Sequence, residues 1–293
     1  MNAMSKPKIL IQLDSDNHAS VFDAVVAVDA GIDQLLQYSR VEPIEVRDLV
    51  HGAIFTRGPA DLKNTAVFIG GSNVARGEQL LQQVLASFVG PMRVSVLLDA
   101  KGANTTAAAA VVAAGRHLDL TSCQATVLAA TGPVGQRVVK LLAGLGCRVK
   151  VASRDVNRAQ LVCELLRESL PDAELLPCSS DGPGAVQRSL EGSQLLIAAG
   201  AAGVELVSAS ALESATDLKV AIDLNAVPPL GIAGIGVTDR AVEKDGRILY
   251  GAVGVGGTKM KIHKAAIRQL FEANDRVMDA EQVFAIGQAV EAN

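Results

Sequence analysis

Tryptophan is absent from this sequence, and two Tyr and six Phe are its only Phe or Tyr rings. A core with so few large rings is left to small aliphatic side chains, and the abundant Gly and Ala suit close packing of helices on a sheet. Long apolar runs are also missing. None reaches the roughly 18 residues that suggest a membrane span, and residues 1–7 lack the apolar core of a signal peptide, so a cytoplasmic location is expected. Neither sign of charge dominates: 27 Lys and Arg stand against 31 Asp and Glu, a net charge of -4 with both signs interspersed. That argues against the basic face or stripe of a nucleic-acid binder; only Lys259, Lys261, His263 and Lys264 cluster. Cys123, Cys147, Cys163 and Cys178 show no C-x-x-C or Cys/His ligand spacing and read as reduced, buried thiols. His18, His51, His117 and His263 show no metal spacing either, and no metal is expected.

What the 293 residues do contain is an alternation of short apolar bursts with helical patterns in both halves. This rhythm belongs to parallel sheets with crossover helices, and the length allows two domains. In the first half, strands are expected over 9–13, 66–69 and 94–98, with a short one near Ala53. Helices are expected over 21–33, 74–87 and 105–114. The second half restarts with strands over 125–130, 148–152, 174–178, 194–198 and 219–224. The last helical pattern, 264–274, follows a glycine-rich loop over 251–257 and returns to the first domain. The fold expected is therefore α/β with two domains and a cleft between them. A Rossmann-type dinucleotide-binding domain spans 111–263, and a smaller α/β substrate domain spans 1–110 and is completed by 264–293.

The turn after the strand at 125–130 carries the most specific motif, Ala130-Thr131-Gly132-Pro133-Val134-Gly135. In a Rossmann fingerprint the second glycine lets backbone approach a pyrophosphate, and the third lets the helix pack on the strand; these are Gly132 and Gly135. Ala130 replaces the first glycine. Pro133 suits the first helical position, where free N–H groups face phosphate. A plain strand–helix turn is the competing reading. The next strand ends at Ser153-Arg154, about twenty residues on, where NAD enzymes carry an acid for the ribose 2′-hydroxyl. Arg154, with Ser153 and Arg158, instead suits a 2′-phosphate, so NADP is expected. Asp155 is the alternative partner that would admit NAD.

Ligands of open parallel sheets bind beyond the carboxyl ends of strands, which nominates Ala199 and Gly200 after one strand and Asn225 after another. Gly254, in the glycine-rich stretch, marks a close backbone approach or a hinge, and Lys259 opens the helix after it. At the front, Asp14 and Asp16 follow the first strand, either as carboxylates for a developing cation or as turn formers.

The stretches Asp14-Ser15-Asp16, Ser20-Val21-Phe22-Asp23, Phe55-Thr56-Arg57-Gly58, Asn104-Thr105-Thr106, Thr131-Gly132-Pro133-Val134-Gly135, Asn225-Ala226-Val227-Pro228-Pro229 and Gly254-Val255-Gly256-Gly257-Thr258-Lys259 together carry a resemblance. The sequence resembles the NADP-dependent methylene-tetrahydromethanopterin/methylene-tetrahydrofolate dehydrogenases of methylotrophic bacteria. The resemblance implies oxidation of a methylene-tetrahydropterin to its methenyl form, with hydride passing to NADP. It also implies a homo-oligomer, a trimer; a catalytic role for Lys259; and a substrate surface including Asp14, Asp16, Phe22, Asn104, Thr105 and Thr106. Taking hydride from an N–CH₂–N unit leaves a cation shared by two nitrogens, so no hydroxyl proton needs a base. Two rivals remain open: a shikimate-type or strictly folate-type NADP dehydrogenase, which for an alcohol needs a general base, and an NADPH-binding protein without turnover.

Overall fold

The structure, a computed structural model, describes residues 6–292; residues 1–5 of the N-terminal stretch discussed above lie outside the described residues. In chain order the regular elements begin with β1 (Ile9–Leu13), α1 (Val21–Asp29), β2 (Gln34–Tyr38), α2 (Val46–Ile54), β3 (Thr65–Ile69), α3 (Val74–Ala86), β4 (Ser95–Leu98) and α4 (Ala103–Gly115). The chain continues through β5 (Gln124–Leu128), α5 (Pro133–Gly144), β6 (Arg148–Ser153), α6 (Val156–Ser169), β7 (Leu175–Ser179), α7 (Ala185–Leu190), β8 (Leu195–Ala198), α8 (Ala209–Ser214) and β9 (Val220–Asp223). It closes with β10 (Arg240–Lys244), β11 (Arg247–Tyr250), α9 (Ala252–Gln269), β12 (Val277–Met278) and α10 (Ala280–Ala292). Two compact units result, Met1–Thr105 with Met260–Asn293, and Thr106–Lys259. The divisions fall inside α4 and α9, a few residues before the boundaries placed at 110 and 263 from the sequence.

The first unit is a five-stranded sheet in the order β12-β4-β3-β1-β2, parallel throughout. β1 therefore lies between β2 and β3, and the chain reverses its direction of travel across the sheet at the β1/β3 boundary. β3 and β4 are buried along their length, as expected of inner parallel strands covered on both faces. Ser20 caps α1 by accepting from the Asp23 N–H, and Asn73 caps α3 by accepting from the Arg76 N–H.

The second unit is a seven-stranded sheet, β10-β11-β9-β8-β5-β6-β7, parallel except where β10 pairs with β11. Counted from β5, the parallel strands follow the Rossmann order, and the reversal lies between β5 and β8. Leu128, Leu196, Ala198, Ala221, Ile232 and Leu249 pack into one buried cluster with Val207 and Leu218.

Four expectations are corrected. The strand expected near Ala53 is instead part of α2, whose Val46, Val50, Ala53 and Ile54 are buried at helical spacing. The helix begun at Val21 ends at Asp29, and Gln34–Tyr38 pairs with β1 as an edge strand. The loop expected over 251–257 is helical from Ala252. Close packing explains its glycines: a Cβ at Gly251 would collide with the carbonyls of Gly236 and Val237, and one at Gly254 with the carbonyl of Asp239. Lys259 consequently lies within α9 and does not open a helix.

Candidate active site

In the second unit the chain leaves β5 through Ala129, whose φ of 53° is left-handed. For a residue with a Cβ this conformation costs about 1–2 kcal/mol. The strain thus sits one residue before the Ala130 position to which the fingerprint assigns it, and Ala130 itself keeps ordinary angles. Gly132 ends the turn in an extended conformation as N-cap of α5, with Pro133 in the first turn, and provides no side-chain cap. Its N–H donates to Ala129 O at 3.0 Å, and Gln136 Nε2 donates to Thr131 O at 2.8 Å, so the turn is braced from behind. The N–H groups of Val134 and Gly135 have no intrahelical partner this close to the helix start, and the helix dipole adds positive potential there. At Gly135 a Cβ would lie 2.6 Å from Ala129 O and 2.7 Å from Ala130 Cα, so only glycine lets α5 sit this close to the turn. At Gly132 a Cβ would lie in ordinary contact, 3.4 Å from Ala129 O; the protein itself does not require glycine there, whereas an approaching diphosphate would. The residues present therefore fit a dinucleotide pyrophosphate.

At the tip of β6, Ser153 Oγ accepts from the Asp155 N–H at 3.3 Å and lies 3.5 Å from Thr131 Oγ1, linking this tip to the glycine turn. Asp155 Oδ1 accepts from the Asn157 N–H at 2.9 Å and caps α6. Arg154, Asp155 and Arg158 are all exposed at this tip.

Beyond β8, the Ala199 N–H donates to Leu128 O, placing Ala199 and Gly200 at the β5/β8 reversal beside the glycine turn. Asn225 is buried, with its amide committed to its own loop: Nδ2 donates to Pro229 O at 3.0 Å, and Oδ1 accepts from the Val227 N–H at 2.9 Å. It shapes the Ala226–Pro229 bend, which contains a cis Pro228–Pro229 bond. Sequence reasoning missed Asp223, a buried carboxylate that accepts from the N–H groups of Asn225 at 2.9 Å and Ile232 at 3.0 Å. Burial pushes its pKa up, and these amides, with that of Gly231, oppose the rise. Further on, Arg116 Nη2 donates to Thr258 Oγ1 at 3.0 Å, and His117 Nε2 lies 2.9 Å from Tyr250 Oη. Burial, and then the neighbouring Arg116, hold His117 below its ordinary pKa. Gly254 faces the protein's own Asp239 carbonyl rather than open space, and Lys259 is half-buried next to Thr258.

In the first unit, the β1/β3 reversal brings together the loops after those strands. Asp14 is 0% exposed; Oδ1 accepts from the Asp16 N–H at 2.9 Å and Oδ2 from the Ser20 N–H at 3.0 Å. Asp16 reaches across to the β3 loop, accepting from the Ser72 N–H and Ser72 Oγ, both at 2.9 Å. Ser15 Oγ is buried without a hydrogen-bond partner and sits where a Cβ at Gly71 would meet it at 3.0 Å. A buried hydroxyl in that state at a sheet reversal is suited to a ligand. Phe22 is 53% exposed on α1.

Asn104 and Thr105, which the resemblance placed on the substrate, are buried and engaged internally. Asn104 Nδ2 donates to Leu98 O and Asp279 Oδ1, and Thr105 Oγ1 donates to Asp99 Oδ2 at 2.6 Å. Asp99, also missed, accepts further from the N–H groups of Asn104 and Thr105. Thr106 is half-buried on the next position of α4.

Against known proteins, the family profile "Methylene-tetrahydromethanopterin dehydrogenase, N-terminal" matches residues 21–101. The chain is 39% identical to the Bifunctional protein MdtA of Methylorubrum extorquens, over 96% of this chain and 98% of that one. It is 30% identical to the NAD(P)-dependent methylenetetrahydromethanopterin dehydrogenase of the same organism, over 91% of this chain and 93% of that one. The chain belongs to the methylene-tetrahydromethanopterin dehydrogenase family. Among solved structures, shikimate 5-dehydrogenase from Listeria monocytogenes in complex with shikimate and NAD matches at a TM-score of 0.54 and 15% identity, over 98% of this chain and 97% of that one. At that identity the likeness is one of fold alone, two Rossmann-type α/β units, and does not favour a shikimate-type reaction. Among the described residues of this chain, the Gly132–Gly135 turn and the Asp14–Ser20 loop each follow a strand at a sheet reversal. No helix among the described residues is long and apolar enough to cross a membrane.

Proposed function

We propose that this chain is an NAD(P)-dependent dehydrogenase of one-carbon metabolism that oxidises a methylene-tetrahydropterin, methylene-tetrahydromethanopterin in the first instance, to its methenyl form. The observation that carries the reading is the uncapped, glycine-limited start of α5 at the sheet reversal, in a chain whose full-length relative bears that activity in its name. The nicotinamide of the bound dinucleotide supplies the hydride acceptor. The chain must hold the two carbons about 3–3.5 Å apart and exclude water. The Val134 and Gly135 amides hold the pyrophosphate, and Arg154 with Arg158 and Ser153 favours the 2′-phosphate of NADP over NAD.

The methenyl product is a cation delocalised over two nitrogens, so negative potential lowers the barrier without any proton being removed. Asp14 and Asp16 supply that potential from the β1/β3 reversal, where each carboxylate accepts backbone amides. Lys259 anchors pterin oxygens, since a lysine charge beside the reacting carbon would oppose the reaction. Phe22 and Thr106 complete the substrate surface, a cytoplasmic location follows, and the assembly is a homo-oligomer, a trimer.

The test is spectrophotometric. Purified chain is mixed with methylene-tetrahydromethanopterin, methylene-tetrahydrofolate or shikimate and with NADP or NAD, following methenyl formation and cofactor reduction together. Stoichiometric methenyl and NADPH formation is expected with a methylene-pterin. Dinucleotide binding without reduction by either pterin would leave the NADPH-binding rival standing, and reduction by shikimate alone would replace the reading.

A further inference from the structure

Cys123 immediately precedes β5 and Cys147 immediately precedes β6. These strands are parallel neighbours in the register Gln124↔Arg148, Ala125↔Val149. One step back sets Cys123 opposite Cys147, and the Arg148 N–H donating to Cys123 O at 3.0 Å extends the ladder to that point. Adjacent strands lie about 4.8 Å apart, within the range of about 4.4–6.8 Å between Cα atoms that a disulfide tolerates. The two sulfurs are 3.0 Å apart, and both thiols are free and buried. Bonding requires them to approach by about 1 Å more. Their separation in sequence gave no hint of this pairing; the β5–β6 register creates it.

We propose that Cys123 and Cys147 are a reversible dithiol/disulfide pair, oxidised by hydrogen peroxide, that fastens β5 to β6 at the strand ends opposite the dinucleotide turn. The contact between the two sulfurs holds the Cys123 thiol below its usual range against its own burial, and the same contact, together with burial, pushes Cys147 up. Cys147 Sγ also donates to Cys123 O at 3.1 Å, so its proton is held there and Cys123 is the sulfur assigned to react first. Its thiolate attacks one peroxide oxygen; the O–O bond breaks, and the departing hydroxide takes a proton to become water, leaving Cys123 as a sulfenic acid. The Cys147 sulfur then attacks the Cys123 sulfur. An S–S bond forms, the S–O bond breaks, and the second hydroxide leaves as water with the Cys147 proton. Two thiols lose two electrons and two protons, and one peroxide becomes two waters.

The experiment treats the purified full chain with hydrogen peroxide, quenches with catalase, alkylates under denaturing conditions and maps peptides without reduction. The Cys123 and Cys147 peptides are expected joined and lighter by two hydrogens, and separable by dithiothreitol. Because the cross-link closes a loop of about 25 residues, the melting midpoint should rise by about 5 °C. In Cys147→Ser the sulfenic acid has no partner, and dimedone should label Cys123. The proposal is overturned if the wild-type map shows both cysteines alkylated after methionines have oxidised, or Cys123 driven to sulfinic acid without joining Cys147. The wild-type map decides whether or not the variant folds.

Discussion

At Gly135, backbone atoms, which cannot swing away, fill the space where a Cβ would go. Gly135→Ala should destabilise the second unit by about 2 kcal/mol and reduce NADP affinity, read by thermal melting and by fluorescence titration. An unchanged melt would show that α5 can retreat. Arg154 acts differently: it is exposed and braces nothing in the fold. Arg154→Ala should therefore leave the melt alone and lower kcat/KM for NADP roughly tenfold or more with little change for NAD; equal losses with both cofactors would remove the 2′-phosphate from its role. Gly135 was readable in the sequence because a backbone contact at a fixed distance from a strand end dictates its residue type, and Gly132 and Arg154 stood out by the same kind of spacing. Asp99 and Asp223 were not, since a buried carboxylate that accepts backbone amides leaves no periodic trace. Asn104 and Thr105, placed on the substrate surface, and Asn225, placed on the cofactor, are polar groups beside strand ends, where the sequence pattern is the same whether such atoms serve a loop or a ligand.

Among the elements, inner strands of both sheets were legible as apolar bursts, while edges were not. β2 reads Gln-Leu-Leu-Gln-Tyr, residues that continue a helical pattern as readily as they form a strand, and it is exposed on nearly every position. β10 is exposed throughout, yet the Asp245-Gly246 dipeptide before β11 was an available hairpin signal; both residues take positive φ. The start of α9 was hidden because glycine disfavours helices by about 1 kcal/mol per residue relative to Ala, a deficit offset here by packing on the 236–240 loop. Gly254→Ala should therefore unfold this packing, with a lower melting midpoint and more proteolysis near 240. In the segment joining α4 to β5, His117 makes a pH prediction. Its folded pKa lies below 6.5, so below pH 6.5 the unfolded chain takes up a proton that the folded chain resists. Its contribution is present above pH 6.5 and is lost as pH falls from there towards the lowered value. The difference between wild-type and His117→Gln stability curves should slope in that window and be flat above it, as measured by urea denaturation.

For the whole molecule, the two units each present one sheet reversal, with the uncapped start of α5 at one and the Asp14 and Asp16 carboxylates at the other. Lys259 ends the second unit as divided within α9. Lys259→Met should lower kcat or raise KM for the pterin by roughly tenfold or more while NADP affinity holds; a normal rate at normal substrate affinity would withdraw the lysine from the reaction. The central claim is that hydride passes directly from the bridging carbon to the dinucleotide held at Gly132–Gly135. The most direct measurement uses a methylene-pterin carrying deuterium at both bridge positions and weighs the reduced cofactor by mass spectrometry. One deuterium in every NADPH formed is the predicted result; unlabelled NADPH appearing as the methenyl product accumulates would contradict it.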